Sequence, residues 1–598
     1  MPYDDRIFGA MIHLDQRLNR HMKDSEGVKH RMRLSPAQPV PGQDVAIFVT
    51  TCGSLACEGV YCWYTTDGRE PEEGSATVIC LEREDEVWDV ITWSYLQRWR
   101  GVVPSQMSGT VIRYRIGTRL AGSGRWVFAD NQANVLTRAT PFGYYTGNTV
   151  TPPWQKRAVI YHVFLDRFFP GEGKDWQKPQ LLSGFFGGTL RGVMDKLDYI
   201  QSLGFNTLWL SPLFASPSHH GYNATDYYTV EPRLGSNEDL DELIAAAHHR
   251  GMFILLDFVA NHWSRQHPTF QSAVKDPDSP YRAWYEWEKW PDTYETYFGV
   301  KELPKINLEY PPAREYLLRC AQHWLEKGVD GYRLDYALGP SYDFWAAFQQ
   351  ACREVNPQCW LLGEVVDMAP VQLSYASSMD GTLDFLLNRG LRETFALNKW
   401  KLTQFESFLS AHENYFPGAF SRPAFLDNHD MNRFLYISEG DTAKLKLAAL
   451  VLYTLPGPPI IYYGTEVGVT QQRPIHQNSF GVFEEARMPM KWGEEQDADL
   501  RVYFQRLGEL RQKHPVLWDD HRGLLHLDDQ TGTYAYLRWN ERERVIVALN
   551  INDAPRSITL TGTGLGPGVS DRLNENPVRV VGESLTVELA GKRGAYIV

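Results

Sequence analysis

The sequence predicts an α/β chain: a (β/α)8 TIM barrel carrying a small inserted domain, with an N-terminal β-sandwich before it and a C-terminal antiparallel β-domain after it. Three observations carry this expectation. Through the middle of the chain, apolar runs of strand length alternate with helix-length stretches, the grammar of parallel strands buried on both faces. Four of these runs, LLDFVANH (255–262), GYRLDYA (331–337), LLGEV (361–365) and FLDNHD (425–430), end in acids. Acids at the carboxyl ends of several different strands are where a barrel keeps its chemistry. Both flanks change rhythm to short alternating or β-branched runs.

Taken in order, VAIFVT, GVYCWYTT, ATVICLE and GTVIRYRIG, separated by turn-rich stretches such as DGREPEEG, read as strands of a sandwich over residues 1–150. GNTVTPPW (147–154) closes it, because consecutive prolines continue neither sheet nor helix. Barrel elements follow over 151–261 and 312–513: AVIYHVF, a helix over 190–203, FNTLWLSP, a helix over 237–250, and MFILLDF. Between Asp257 and Val329 lie roughly seventy residues, more than one helix and its loops require, so 262–311 is assigned to an inserted domain. WLLGEV, TLDFLL, PAFLDN and PPIIYYG are read as the fifth to eighth strands, with a helix over 441–455. Beyond His514, the runs TYAYLRW, RVIVALNI and SLTVEL predict a terminal β-domain over 514–598.

A chain of 598 residues exceeds one hydrophobic core, and 43% hydrophobic content is ordinary for a globular protein. The net charge of -13 comes from acids spread along the chain, with no long basic cluster, which argues against nucleic acid as a partner. The amino-terminal MPYDDRIFGAMIHLDQRLNR has too short an apolar stretch for a signal-peptide core or a membrane helix, so a cytoplasmic location and no membrane partner are expected. Seven irregularly spaced cysteines suit reduced thiols; Cys52, Cys57 and Cys62 lack the CxxC or His partners of a zinc site.

Within GYRLD, Arg333 and Asp335 are two residues apart and face the same side of a strand, where the guanidinium can hold the carboxylate ionised. Asp335 is therefore the candidate nucleophile, and Glu364, at the end of the next strand, the candidate proton donor. A retaining glycosidase needs one ionised and one protonated carboxyl about 5–5.5 Å apart. Asn428, His429 and Asp430 bring a third acid and an imidazole that can hold ring hydroxyls and stabilise positive charge on the sugar. At the end of the third strand His262 is expected to touch the sugar, and Asp257 both to touch it and to lock the loop. A single acid of this kind could equally cap a helix or pair with Arg at a barrel rim; four in series make that reading strained.

These four runs resemble, in order, the four signature regions of the α-amylase family of retaining α-glucan enzymes. The resemblance extends to GFNTLWLSP (204–212), HGYNATDYY (220–228) and GPPIIYYGTE (457–466), and runs continuously over about 155–514. It implies Asp335 as nucleophile, Glu364 as acid/base and Asp430 as transition-state stabiliser. It also implies Arg333, His262 and His429 as substrate-binding partners and Tyr222 as a stacking platform. LPKIN (303–307) and YHVFLDRF (161–168) are similar to motifs of neopullulanases, cyclomaltodextrinases and maltogenic amylases. In that group an N-terminal β-domain often builds a homodimer and restricts the cleft to short or cyclic α-glucans. YALGPS (336–341) and VVDMA (365–369) depart from the group at positions that commonly line the acceptor side, which points to a less common cyclic oligosaccharide, one with mixed α-1,4 and α-1,6 bonds.

No cofactor is required for this chemistry and no catalytic metal is expected; some relatives hold a structural calcium near the inserted domain, for which Asn261 alone is no site. His219 and His220 are adjacent and point apart in extended chain, which disfavours a metallohydrolase. In RAWYEWEKWPDTYETYFG (282–299) most rings are assigned to the inserted domain's core and one or two to sugar subsites, without naming which. A glycosyltransferase or isomerase would share every catalytic residue, and a noncatalytic carbohydrate-binding barrel would share the fold.

Overall fold

The computed structural model describes residues 14–147, 151–477, 480–519 and 521–598. The stretch weighed for a leader lies mostly outside the described residues, as do 148–150 of the expected linker. A helix that the sequence reading did not anticipate, Leu14–Ser25, precedes the first strands.

Eight barrel strands are labelled in chain order: β1 (Ile160–Val163), β2 (Thr207–Leu210), β3 (Phe253–Val259), β4 (Gly331–Asp335), β5 (Trp360–Gly363), β6 (Gly381–Thr382), β7 (Ala424–Phe425) and β8 (Pro459–Tyr462). They form one sheet in the order β6-β5-β4-β3-β2-β1-β8-β7. Parallel pairing registers β1 with β2 and β8, β2 with β3, β4 with β5, β5 with β6, and β7 with β8. Every residue of β1, β2, β4, β5 and β8 is buried, as continuous apolar runs covered on both faces demand. No ladder joins β6 to β7 among the described residues, since each is two residues long; the Asp384 N–H donates instead to the Pro423 carbonyl at 2.9 Å.

The sixth strand corrects the sequence reading. The apolar pattern predicts a strand over all of TLDFLL, but pairing stops at Thr382, and Asp384 caps a helix over Phe385–Leu391 by accepting the Leu387 N–H at 2.9 Å. An apolar run of that length does not distinguish the two states; the capping acid inside it decides. The expected helix over 190–203 is two short helices, Leu190–Asp195 and Leu197–Ser202, whereas Asn237–His249 and Thr442–Thr454 are continuous.

The chain divides into two compact units, each taken by itself. One contains Pro153–Asp257 and Leu383–Val598. Its terminal part holds a four-stranded antiparallel sheet (Arg522–Asp528, Thr533–Trp539, Arg544–Asn550, Arg593–Ile597) and a three-stranded one, sharing a core of Ile546, Ile558, Leu585 and Val587. The other contains the described residues before Pro152 together with Phe258–Thr382. Its N-terminal strands form a nine-stranded antiparallel sheet, seven of them in one path and two pairing off it. Residues from distant parts of that path, Ile47 and Val49 with Ile112 and Tyr114, meet in one core, so the path wraps over itself as a sandwich does. Residues 262–311 include a helix, Pro268–Lys275, and a hairpin, Trp287–Lys289 with Thr293–Tyr294.

Candidate active site

In the unit containing Phe258–Thr382, register pairs Leu334 of β4 with Gly363 of β5, so Asp335 and Glu364 follow as neighbours at the ends of adjacent strands. Arg333, 1% exposed, reaches both: Nη1 lies 2.7 Å from Asp335 Oδ1 and Nη2 lies 2.6 Å from Glu364 Oε1. The fork of one guanidinium thus holds two carboxylates, a geometry that a lysine cannot reproduce. Tyr336 adopts a left-handed backbone (φ 39°), and its N–H donates to Glu364 Oε2 at 3.0 Å. A strained non-glycine residue directly after a candidate nucleophile is a feature of functional sites. The loop then passes so close to Asn261 that a Cβ at Gly339 would lie 2.1 Å from its Oδ1. That contact accounts for the glycine in YALGPS.

His262 is 2% exposed, pairs through Nδ1 with Asn261 Nδ2 at 3.1 Å, and lies over Tyr297 with ring centroids 4.4 Å apart. Tyr297 and Phe298 both pack edge-on or tilted against Tyr336, at 5.0 and 5.2 Å. Of the aromatic segment, Trp284 and Tyr285 are buried in the inserted part, while Phe298 is 59% exposed. Tyr297 stacks on the site residue His262, and Phe298 packs beside it against Tyr336, which follows Asp335, a distinction the sequence could not draw.

The unit containing Pro153–Asp257 gathers the other candidates. Asp257, at the end of β3, accepts from Tyr222 OH at 2.9 Å and from Trp209 Nε1 at 3.2 Å. His429 Nε2 lies 2.6 Å from Tyr222 OH and 3.0 Å from Asp430 Oδ2. With the phenol donating to Asp257, Nε2–H is the donor toward the phenol oxygen and Asp430, which fixes the imidazole tautomer. The rings of Tyr222 and His429 are parallel within 6°. Asp257 therefore locks this corner, the loop-holding half of the mixed role expected of it.

Asp430 has a partner the sequence reading missed. Arg487 Nη2 lies 2.8 Å from Asp430 Oδ1, and its Nε donates to the His429 carbonyl at 2.9 Å. Arg487 ends a short 3-10 turn, Phe483–Arg487, and its own carbonyl accepts from Arg167 Nη1 at 3.0 Å. Arg167 belongs to YHVFLDRF, where Asp166 pairs with it at 2.8 Å and accepts the N–H groups of Phe186 and Gly187. No local signal in FEEAR marks Arg487; a lone arginine in a loop is ordinarily a solvated charge. His219 is buried 3.9 Å from Glu484, and burial, with Arg167 nearby, pushes its imidazole down to about 2, so it stays neutral.

Among the described residues, one group of three acids could hold a cation, Glu70, Glu309 and Asp343. Arg113 and Arg314 already lie 2.7 and 3.0 Å from Asp343, so the cluster is neutralised by the protein itself. All seven cysteines are free.

Comparison with known proteins identifies the family. The profile of the family described as "Alpha amylase, catalytic domain" matches residues 162–550. The chain is similar to "Alpha-amylase 2" of Dictyoglomus thermophilum, 37% identical over 570 residues, covering 94% of this chain and 95% of that protein. Among solved structures it is similar to a cyclomaltodextrinase (TM-score 0.70, 26% identity, 96% of this chain and 99% of that one). It is similar also to the cyclic alpha-maltosyl-(1-->6)-maltose hydrolase of Arthrobacter globiformis in complex with that cyclic sugar (TM-score 0.66, 28% identity, 75% and 100%).

Proposed function

Because this chain belongs to the alpha-amylase family, we propose that it is a retaining glycoside hydrolase of short or cyclic α-glucans, among them cyclic malto-oligosaccharides with mixed α-1,4 and α-1,6 bonds. The observation that carries the reading is Arg333 hydrogen-bonded to Asp335 and ion-paired with Glu364. That arginine sets two carboxyls side by side at the ends of adjacent strands, the arrangement in which one can serve as nucleophile and its neighbour as proton donor in a double displacement.

Asp335 attacks the anomeric carbon while Glu364 protonates the leaving glycosidic oxygen; the C–O bond breaks as the glycosyl–Asp335 ester forms. Glu364, now ionised, takes a proton from water, which attacks the same carbon and frees Asp335 with the α configuration restored. Asp430, oriented by Arg487 and His429, offers negative charge to the oxocarbenium-like transition state. Tyr222 and His262 are the sugar-facing groups, and Tyr297 and Phe298 extend the reading to the acceptor side. The likeness to enzymes named for cyclic maltosaccharides supports the cyclic substrate.

We assign the N-terminal domain the role of a dimer contact. Trp88, Trp93 and Tyr95 cluster at one hairpin end with centroids 5.1–5.3 Å apart, and Trp93 is 79% exposed, an apolar surface that a partner copy would cover. Free cysteines and no described helix long and apolar enough to cross a membrane are consistent with a cytoplasmic location.

Cyclodextrins, pullulan and a cyclic tetrasaccharide with alternating bonds should release reducing sugar, and NMR of the fresh product should show the α anomer. Inactivity on all three, or a β product, overturns the proposal, and products dominated by new glycosidic bonds replace hydrolysis by transfer. Sedimentation equilibrium should return a dimer that Trp93→Ser weakens.

A further inference from the structure

Within the unit of the N-terminal domain and Phe258–Thr382 lies a cavity of about 530 Å³, in the size range of small-molecule sites. None of Asp335, Glu364, Arg333 or His262 lines it. Its lining includes the polar Arg33, Glu286, Lys305 and Asn307 and the apolar Leu338, Pro340, Met368 and Val371. Five cationic and four anionic side chains line it: Arg20, Lys29, Arg31, Arg33 and Lys305 against Asp24, Asp130, Glu286 and Glu309.

Several of these charges are already spent on each other. Arg31 pairs with Asp24, and Arg20 Nε lies 3.1 Å from Asp24 Oδ1. The Asp130 carboxylate accepts the N–H groups of His30 at 2.9 Å and Arg31 at 3.2 Å. That last pair fixes a turn with Arg31 and Met32 in left-handed backbone (φ 50° and 49°), so the basic lining is built and not a mobile fringe. The lining mixes charges of both signs, several of them engaged with each other, with apolar side chains. It offers hydrogen bonds to hydroxyls and, from Leu338, Pro340, Met368 and Val371, apolar surface to the C–H face of a pyranose ring.

We propose that this cavity is a second saccharide site, taking a short neutral α-glucan such as the product of the reaction, outside the acid-bearing cleft. It rests on the proposed α-glucan chemistry. Its apolar lining comes from the segments that leave the two acids: Leu338 is three residues after Asp335, and Met368 four residues after Glu364. Occupancy therefore bears on the loops behind both carboxylates, and the site is placed to report product or chain length to the reacting pair.

The test uses the full chain carrying Asp335→Asn, titrated with maltose by calorimetry. Two sites per chain are expected. Arg33→Ala with Glu286→Ala should weaken one of them about tenfold, the loss of one or two hydrogen bonds to charged groups, and Thr140→Trp, on the cavity wall, should block it. The other site should be unchanged, and with Asp335 restored both variants should still hydrolyse cyclic substrate. Hydrogen exchange supplies a second measurement: maltose should protect 338–342 and 368–375, and Thr140→Trp should abolish that protection. A single site, or two sites indifferent to these substitutions, overturns the proposal. So does binding of inorganic phosphate in place of maltose, lost with Arg33→Ala, which would make the cavity an oxyanion site. Failure of the Asp335-bearing enzyme to cleave any α-glucan sinks the parent reading instead, and the two failures are distinguishable because one is read from binding and the other from turnover.

Discussion

The two compact units carry their acids in contrasting ways. Asp335 and Glu364 sit at the ends of buried strands in register, and one arginine from the same strand serves both. Asp430 follows a strand of two residues, on a loop, and its orientation depends on an arginine 57 positions later together with a histidine tied to Tyr222 and Asp257. The first arrangement is fixed by sheet geometry and a single guanidinium that reaches both acids; the second is assembled from loops through a chain of contacts. Residues whose placement follows from a ladder are legible locally, and residues placed by loops are not. The same contrast ranks what substitution should do.

The largest effect belongs to the strand-borne pair. Asp335→Asn keeps size and fold but removes the nucleophile, and turnover should fall by about 10⁴-fold or more. Glu364→Gln should cost about 10²–10⁴, the range of a general acid. Retained turnover in the asparagine variant, with the fold verified by circular dichroism, would refute the nucleophile assignment.

Next comes the fork itself. Arg333→Lys keeps a charge and loses the reach to both carboxylates at once, so kcat/KM should fall roughly 10²–10³-fold and the pH–rate profile should change shape, because the two carboxylates no longer share one cation. Arg333→Ala takes this cation from buried Asp335 and partly buried Glu364 and should also cost up to about 3–5 kcal/mol of stability. A lysine variant with wild-type kinetics would show that the fork is packing and not function.

How much was legible follows the same division. β1 to β5 and β8 stood out as apolar runs four to seven residues long, and the Arg333–Asp335 spacing alone put both on one face. The sixth strand failed because Thr382 and Asp384 sit inside one apolar run, where strand end and helix cap look alike. Arg487 left no trace because a 3-10 turn has no periodicity and its target lies far off in the chain. Tyr297 and Phe298 hid among rings that mostly build the inserted part, since composition does not say which face of a short segment meets His262.

Arg487 tests the loop-built half. Arg487→Ala removes one charge-assisted bond from Asp430 and leaves His429 in place, so kcat/KM should drop roughly 10–100-fold, the worth of a hydrogen bond to a charged group, with the strand-borne pair intact. Arg167→Met, which frees the Arg487 carbonyl without touching Asp430, should reproduce part of that loss. If either matches the loss in Asp335→Asn, the two halves are not separable in the way the geometry suggests.

The smallest effect is one of stability, at Glu466 in the same unit as Asp430. Its side chain is fully buried, and Oε1 accepts from Tyr161 OH at 2.7 Å and Tyr199 OH at 3.0 Å. Burial raises its carboxyl above the ordinary 4.5, outweighing the tyrosine hydroxyls and Arg433, which act the other way. The folded state therefore holds this proton more tightly than the unfolded chain. Its contribution is complete below pH 4.5 and is lost as pH rises from there through the folded value, at no more than about 1.4 kcal/mol per pH unit. Glu466→Gln has no proton to lose, so its stability should be flatter than wild type across that window, whatever fixed offset the amide brings. Denaturant melts at several pH values give both slopes; parallel lines would mean that Glu466 ionises as freely in the fold as outside it, and that burial here is offset by its two tyrosines.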